Sequence, residues 1–287
     1  MGLEIVVTSE NKGSNPGGRC IVKSSIEIFP KSYIKYCNRG QGLNGFNLLA
    51  QNQPIYEAMS LEMVKMLGLN IPNYFVILNY GGDNISFKYE PEKEKHIKKL
   101  SDNKKFYFVS RLIKHPIDET NPKLIEIMAS EKIYRDLLHI GNVSGRPENY
   151  TLINIPGMDP FVLYIDLGCG LVDAYEGLLT IRSSLIKKVL NLKNRKTLKD
   201  LKKKLERIDL KTDFGAMVNL VEFGEYILKC CKINTLDASD PKRIKSVAVE
   251  SILSQGELVD LSNLYFAANI KFLDTYKGDS RLFRTKR

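Results

Sequence analysis

The sequence has few of the features that mark disulfide-rich, zinc-binding or membrane-spanning proteins. Its five cysteines are scattered over 287 residues without a CxxC pair, which disfavours a disulfide framework. The three histidines stand in no ligand spacing, so a structural zinc site is not expected. No apolar run reaches the roughly 18–20 residues that span a bilayer, and the first residues have no secretory signal pattern. These absences favour a protein that works in a reducing, cytosol-like compartment.

What is present is the composition of a globular protein with an uneven charge distribution. Hydrophobic residues make up 43% and charged residues 26%, which excludes wholesale disorder. The formal net charge is +10, and residues 182–211 hold twelve lysines and arginines against three acids. Clustered cations attract phosphates, although a solvated helix face is the plainer interpretation of such a run.

The first 113 residues have the pattern of a small, β-rich lobe. Runs of β-branched and aromatic residues predict five strands, at residues 3–7, 19–23, 32–37, 70–80 and 105–113. Pro54 in a first turn, methionines at helical spacing and Gly68 predict a helix between the third and fourth strands. Residues 81–104 are highly charged, and we interpret them as a mobile excursion.

The rest of the chain has mostly helical patterns. A helix is predicted over residues 123–140 and a short apolar strand over residues 162–168. Residues 178–272 are rich in leucine at helical spacing, which predicts further helices. We therefore expect an α+β protein with a β-rich N-lobe of residues 1–112 and a helical C-lobe of residues 113–287.

The segment that carries most chemical information is residues 142–171, NVSGRPENYTLINIPGMDPFVLYIDLGCGL. The triplet Pro-Glu-Asn ends at Asn149, and Asp166 follows 17 residues later within Ile-Asp-Leu-Gly. This pattern resembles the catalytic and metal loops of the protein kinase superfamily. The resemblance implies that Asn149 and Asp166 bind Mg²⁺ or Mn²⁺, since hard oxygen ligands share such ions with ATP phosphates. An ordinary asparagine turn followed by a strand-end aspartate is the alternative.

The N-terminal part supplies a second element of the same resemblance. Kinases pair a strand lysine with a glutamate of the next helix to position the α- and β-phosphates. Lys35, in YIKYC, and Glu57, near the start of the helix, match this pair, and Lys23 is the competing lysine. The segment YEAMSLEMVKMLGLNIP also resembles the corresponding helix of HipA-type bacterial toxin kinases. The resemblance implies a two-lobed fold that binds ATP and the metal ion in the interlobe cleft.

Two further segments have roles that this resemblance implies. Residues 11–19 would cover the phosphates, because Gly13, Gly17 and Gly18 allow close approach of the backbone to an anion. A simple hairpin turn would use the same glycines. Residues 108–112 would be the hinge strand, which hydrogen-bonds adenine through its backbone, so that its side chains carry little information about this role.

The catalytic loop departs from the family at one position. Five residues before Asn149, where these kinases carry the catalytic aspartate, this chain has Ser144, which supplies no carboxylate. Asp136 lies on a predicted helix and is a weaker candidate for the base. Phosphoryl transfer can persist without a base of the usual kind, because it depends mainly on positioning and metal electrostatics.

The cationic run and the atypical loop together resemble bacterial effector kinases that are injected into host cells. That group includes a Legionella kinase activated by host inositol hexakisphosphate. The resemblance implies a site for an inositol polyphosphate or phosphoinositide, and residence in the host cytoplasm. The residues expected at this site are Lys187, Lys188, Lys202, Lys203 and Arg207.

The function expected from the sequence is ATP-dependent phosphotransfer to serine or threonine of a protein. Transfer of AMP instead of phosphate is one alternative, and a pseudokinase that binds without catalysis is another. Nucleic-acid binding is disfavoured, because residues 182–211 contain no aromatic side chain on which a base could stack. Neither the acceptor nor the oligomeric state follows from the sequence.

Overall fold

The chain combines one large β-sheet with few helices, so the α+β class expected from the sequence is confirmed. The computed structural model describes residues 2–10, 17–24, 26, 29–36, 52–66, 68–81, 84–90, 100, 104–113, 120–137, 149–167 and 231–254. Within these residues, no helix is both long enough and apolar enough to cross a membrane.

The described residues form ten strands and two α-helices. The strands are β1 (Leu3–Glu10), β2 (Gly17–Lys23), β3 (Ser32–Lys35), β4 (Tyr74–Leu78), β5 (Ile85–Tyr89), β6 (Phe106–Arg111), β7 (Tyr150–Ile153), β8 (Phe161–Tyr164), β9 (Lys232–Asp237) and β10 (Lys245–Ala248). The helices are α1 (Gln53–Met66) and α2 (Pro122–Leu137), and a 3₁₀ turn covers Val249–Ser251. All five strands and both helices expected in the first 140 residues are present.

Eight of these strands form one sheet in the order β10-β9-β4-β6-β3-β2-β1-β5. Neighbouring strands are antiparallel except for the pairs β1–β5 and β4–β9, which are parallel. A β-bulge between Val7 and Ser9 lets β1 stay paired with β2 up to Gly18. Strands β7 and β8 form a separate antiparallel pair.

One face of the large sheet carries an apolar core. Alternate residues of a strand point to the same face, so the spacing Leu3, Ile5, Val7 in β1 places all three on one side. Their partners across the sheet continue the cluster, which includes Val22, Ile34, Phe75, Ile77, Tyr107, Val109 and Leu236, all buried. The other face is therefore left to the residues that alternate with these, among them Lys35.

Local signals set both ends of helix α1. At its start, the N–H of Ile55 donates to the carbonyl of Asn52 at 2.9 Å. At its end, Gly68 has φ of +73°, the left-handed conformation that glycine adopts without strain. The N–H of Leu69 donates to the carbonyl of Val64 at 3.2 Å, which is the long bond of a Schellman motif. The helix boundaries predicted from Pro54 and Gly68 agree with this.

The chain divides into two compact units. The first comprises Met1–Met59, Pro72–Lys114 and Lys232–Ala248, and the second comprises Ser60–Ile71, His115–Cys231 and Val249–Arg287. The expected boundary lay between residues 112 and 113. By compactness, the second half of α1 belongs to the second unit and strands β9 and β10 belong to the first, while the predicted division into an N-lobe and a C-lobe stays a prediction.

Two predictions about secondary structure were wrong. Residues 81–104 contain strand β5, which pairs in parallel with β1, so they are not merely an excursion. Residues 232–248 form β9 and β10, not helices. In both cases a short β-branched or aromatic run was hidden in a charged or leucine-rich stretch, and pairing with a distant strand decided its conformation.

Candidate functional site

A buried ion pair joins Lys35 to Glu57 in the first unit. The Nζ atom of Lys35 lies 2.6 Å from Oε1 of Glu57, and the two side chains are only 7% and 1% exposed. Lys35 is the last residue of β3, and Glu57 lies in the first turns of α1, the next described element. The predicted pairing of these two residues is confirmed, and β3 and α1 together build it.

The competing lysine, Lys23, has another partner. Its Nζ lies 2.9 Å from Oε1 of Glu4, and its side chain is 61% exposed. Lys88 on β5 contacts the same carboxylate. Hydrogen bonds first from Lys88 and then from Lys23 hold the pKa of Glu4 below its ordinary value of 4.5. Lys23 is thus part of an exposed ion cluster over β2, β1 and β5.

Lys35 lies in the middle of a row of residues that crosses the large sheet. Its register partners are Gly17 on β2 and Phe108 on β6. The row continues from Phe108 to Val76 on β4 and then to Thr235 on β9. The side of Lys35 that faces β2 therefore has no side chain, and the side that faces β6 has an aromatic ring.

The aromatic neighbour contacts the lysine head group. The Nζ atom of Lys35 lies 5.4 Å from the ring centroid of Phe108, within the range of a cation–π interaction. The ring of Tyr74 stacks on Phe108 at 5.6 Å between centroids and an angle of 14° between planes. Both aromatic side chains are buried. Phe108 is therefore in contact with the predicted ATP lysine.

Two of the three glycines assigned to the phosphate loop lie in strand β2. Gly17 and Gly18 pair with Lys35 and Ile34, so the connection between β1 and β2 covers only residues 11–16. A Cβ atom on Gly17 would overlap the carbonyl oxygen of Ile34, and one on Gly18 would overlap that of Ser9. These glycines therefore allow three strands to approach closely. Gly13 lies outside the described residues.

The backbone of residues 108–112, the expected hinge strand, takes part in the large sheet. Strand β6 lies between β3 and β4 and pairs with both. Beyond the paired residues, the N–H of Arg111 donates to Asn73 and that of Leu112 donates to Lys31, each at 2.9 Å. Much of the hydrogen-bonding capacity of this strand is thus used within the sheet, and adenine binding by the backbone of residues 108–112 stays a prediction.

In the second unit, Asn149 and Asp166 lie at the same end of the β7–β8 pair. Tyr150 and Tyr164 are register partners, and the N–H of Ile165 donates to the carbonyl of Asn149 at 2.9 Å. This bond extends the pairing by one residue. Asn149 immediately precedes β7 and Asp166 comes shortly after β8, so both lie at the same end of the pair. Asn149 is buried and Asp166 is half-buried. The structure thus brings the two predicted metal ligands to neighbouring strand ends.

A buried tyrosine attaches β8 to helix α2. The Tyr164 hydroxyl donates to Oε2 of Glu131 at 2.6 Å and lies 3.6 Å from Sδ of Met128. Its backbone N–H donates to the carbonyl of Asn70 at 3.0 Å. The end of β8 is therefore held from two sides, two residues before Asp166.

Asn149 and Asp166 would each offer an oxygen atom to a metal ion. An amide oxygen and one carboxylate suit Mg²⁺ or Mn²⁺, which commonly take one or two protein ligands together with substrate phosphates and water. Within the described ranges, no three residues of the types His, Cys, Asp and Glu are grouped closely enough to hold a metal ion by themselves.

The other predicted site residues lie outside the described residues or have side chains that are not described. Ser144 lies outside the described residues, as do all five cations expected to bind a polyphosphate, which are Lys187, Lys188, Lys202, Lys203 and Arg207. Asp136 is on helix α2, as expected, but its side chain is not among those described.

Sequence reasoning missed three residues that support the candidate groups. Phe108 contacts Lys35, and Glu131 and Tyr164 connect α2 to the strand that precedes Asp166. Each contact joins residues more than 30 positions apart, and its detection needs the strand register or the helix packing. The only local signal was a buried aromatic run around Phe108.

Comparison with protein-family models, with curated proteins and with solved structures finds no match to this chain.

Proposed function

We propose that the protein is an atypical kinase-like phosphotransferase that uses ATP with Mg²⁺ or Mn²⁺. The observation that carries this proposal is the buried pair of Lys35 and Glu57, at 2.6 Å. A lysine on the third strand and a glutamate on the following helix form the pair that positions ATP phosphates in protein kinases. Lys35 would contact the α- and β-phosphates, and Glu57 would orient its ammonium group.

The burial of this pair favours a functional role over a purely structural one. Removing two charges from water costs several kcal/mol per ion, so a buried ion pair is rarely retained for stability alone. Exposed pairs, such as Lys23 with Glu4, carry no such cost. Clustering of charged groups in buried positions is typical of active sites.

The second group, Asn149 and Asp166, would hold the metal ion. Its location at neighbouring strand ends supports this assignment, because it brings two residues with oxygen ligands to the same end of the β7–β8 pair. The ion supplies charge stabilisation for the transferred phosphoryl group when it is bound. With Ser144 in place of the catalytic aspartate, orientation of the acceptor hydroxyl would fall to other groups.

The finer parts of the proposal depend on the sequence. A protein serine or threonine is the proposed acceptor, and an inositol polyphosphate bound to the cations of residues 182–211 is the proposed activator. Both fit a bacterial effector that acts in a host cell. The charge of this segment supports an anionic ligand, because its twelve basic residues outnumber its acids by nine.

One experiment tests the reaction class. The protein is incubated with Mg²⁺ or Mn²⁺, a protein mixture and ATP labelled on either the γ- or the α-phosphate, with and without inositol hexakisphosphate. We expect transfer of the γ-label and its loss in Asp166→Ala. Asp159→Ala is the matched control, because Asp159 is an exposed aspartate of the β7–β8 connection. Similarly, Lys35→Met should lose transfer and Lys23→Met should retain it.

Other outcomes would select among the alternatives. Transfer of the α-label would show that AMP is the transferred group. Tight, metal-dependent ATP binding without any transfer would favour a pseudokinase. Absence of ATP binding by the folded protein, with and without the polyphosphate, would contradict the proposal altogether.

A further inference from the structure

Strand β10 lies at one edge of the large sheet and, among the described residues, has a neighbouring strand on one side only. It pairs with β9 residue for residue, from Lys245 opposite Thr235 to Ala248 opposite Lys232. Both Lys245 and Ser246 are exposed. A strand at the edge of a sheet presents unpaired backbone groups to its surroundings.

The pairing pattern shows which residue of β10 directs its backbone away from β9. Residues of an antiparallel pair alternate between those that hydrogen-bond to the neighbouring strand and those that do not. Just beyond the end of β10, the N–H of Val249 donates to the carbonyl of Cys231 at 3.0 Å. By alternation, Lys245 and Val247 bond to β9. The N–H and C=O of Ser246 therefore point outward, toward the open edge.

The same edge carries exposed cations. Lys242, Arg243 and Lys245 lie within four consecutive positions, and all three side chains are exposed. The Nζ atom of Lys242 lies 3.1 Å from the carboxylate of Asp240. Within the described part of the chain, neither Arg243 nor Lys245 forms an ion pair. Two positive charges at this edge thus remain available to an anionic partner.

The nearby acid and the opposite edge of the sheet support this comparison. Asp237 accepts hydrogen bonds from the N–H of Ser239 at 2.8 Å and from its hydroxyl at 2.6 Å. The bond from the Ser239 hydroxyl is the main cause that lowers the pKa of Asp237, and the charge of Lys245 contributes less. On β5, at the other edge, Lys88 contacts the carboxylate of Glu4. Of the two described edges, β10 is therefore the one with unpaired cations.

We propose that the β10 edge binds an acidic segment of a partner protein, which adds to the large sheet as a further strand. The outward N–H and C=O of Ser246 fit the backbone of an extended chain, because strand addition uses main-chain hydrogen bonds. Arg243 and Lys245 select acidic side chains in that chain. They also disfavour pairing of β10 with a second copy of itself, since like charges would then lie opposite each other. The inference does not depend on the proposed phosphotransfer.

The first measurement is amide hydrogen exchange of the whole protein, followed by NMR, and it needs no variant. In the free protein the Ser246 amide should exchange fast, while the amides of Lys245 and Val247, which bond to β9, should be protected. The probe is a peptide of four Glu-Val repeats, which is acidic and contains a β-branched residue at every second position. At saturation it should slow exchange at Ser246 about fivefold or more. A Ser246 amide that is protected without the peptide, or that the peptide leaves unprotected, would overturn the inference.

Three labelled peptides separate strand addition from simple charge attraction, with fluorescence anisotropy as the measurement. Four Glu-Pro-Pro repeats keep the carboxylates but favour a polyproline II helix, which cannot pair as a strand. Four Lys-Val repeats keep the strand pattern and reverse the charge. The Glu-Val peptide should bind at least about tenfold more tightly than either. Equal binding of the Glu-Pro-Pro peptide would show that the cations attract any polyanion, and equal binding of the Lys-Val peptide would show that acidity is not recognised. Either result would contradict the proposal.

Substitutions test the backbone and the charges of this edge separately. Ser246→Pro removes the outward N–H and should weaken binding of the Glu-Val peptide about tenfold, whereas Ser246→Ala keeps the N–H and should bind normally. Arg243→Gln/Lys245→Gln should weaken binding about five- to tenfold. Lys65→Gln/Lys123→Gln is the control, because it removes the same charge from exposed positions of α1 and α2. Equal losses in the two double variants, or normal binding by folded Ser246→Pro, would refute the assignment.

Discussion

The ion pair of Lys35 and Glu57 should affect the free energy of unfolding as well as the proposed reaction. In Lys35→Met the carboxylate of Glu57 stays buried without its cation, so the free energy of unfolding should fall by about 3–5 kcal/mol. The double variant Lys35→Met/Glu57→Leu should recover most of this loss, because apolar residues of similar volume replace buried pairs at little cost. Urea denaturation monitored by circular dichroism measures both values.

Lys23→Met is the control for that experiment. An exposed ion pair contributes about 0–1 kcal/mol, so this variant should unfold close to the unsubstituted protein. If the double variant is as unstable as Lys35→Met, the unpaired charge of Glu57 is not the cause of the lost stability. Loss of packing around Lys35 would then explain the destabilisation.

Glu4 should make part of the stability depend on pH. Lys88 and Lys23 keep its folded-state pKa below the ordinary value of 4.5. Its contribution is therefore present above that value and is lost as the pH falls through the lower, folded-state pKa. The difference in melting temperature between the protein and Glu4→Gln should close as the pH falls from 6 toward about 3. Thermal melts at several pH values measure it.

The cause of this pH dependence can be removed independently. A Lys23→Met/Lys88→Met background removes both ammonium groups that donate to Glu4 in the part of the chain that the structure describes. There the additional change Glu4→Gln should leave the pH dependence of melting nearly unaltered. A difference that persists in this background would show that other charges perturb Glu4.

At the scale of single elements, strand β8 is held by the bond from Tyr164 to Glu131. Tyr164→Phe removes one hydroxyl and leaves the Glu131 carboxylate without that donor, so the free energy of unfolding should fall by about 1–3 kcal/mol. Exchange of the Ile165 amide, which bonds to Asn149, should also become faster. Urea denaturation and hydrogen exchange measure the two effects.

Tyr80→Phe is the matched control, because Tyr80 is 59% exposed and lies outside the β7–β8 pair. It should change neither quantity by a comparable amount. If Tyr164→Phe speeds exchange over the whole protein equally and not at Ile165 first, the hydroxyl supports global stability without a particular role at the end of β8.

How far elements could be predicted depended on whether their signals were local. Helix α1 has a proline in its first turn and a glycine after its last, and strands β1 to β3 have β-branched runs, so all were found from sequence. Strand β9 has the short run Ile233 to Leu236, which also fits a leucine-rich helix. Only its parallel pairing with β4, where Val76 is the partner of Thr235, 159 positions later, decides between the two.

The residues of the candidate site also differ in whether a local sequence signal identifies them. Lys35, Glu57, Asn149 and Asp166 could be named because short motifs contain them. The ring of Phe108 could not, since its register with Lys35 depends on β3 and β6 lying side by side. Likewise, the position of β6 in the middle of the sheet could not be predicted, because a central strand cannot be told from an edge strand by its sequence.

At the scale of the whole molecule, a segment from the C-terminal part completes the sheet that carries Lys35. Strand β9 pairs with β4, and the N–H of Ala238 donates to Leu78 at 3.0 Å. Leu236 is fully buried in the same apolar cluster as residues of β1 to β6. The first unit therefore needs residues that are synthesised more than 100 positions after its other strands.

This connectivity predicts that a destabilising substitution in β9 also destabilises the N-terminal strands of the sheet. Leu236→Ala should lower the free energy of unfolding by about 2–5 kcal/mol, because it leaves a cavity in the shared core. Hydrogen exchange should accelerate in β4 and β6 together with β9, since one cooperative unit opens as a whole. Ile244→Ala is the control, because Ile244 lies in the β9–β10 connection but is 38% exposed. Faster exchange confined to β9 and β10 would instead show that this strand pair is an appendage, and that Lys35 is held by the N-terminal strands alone.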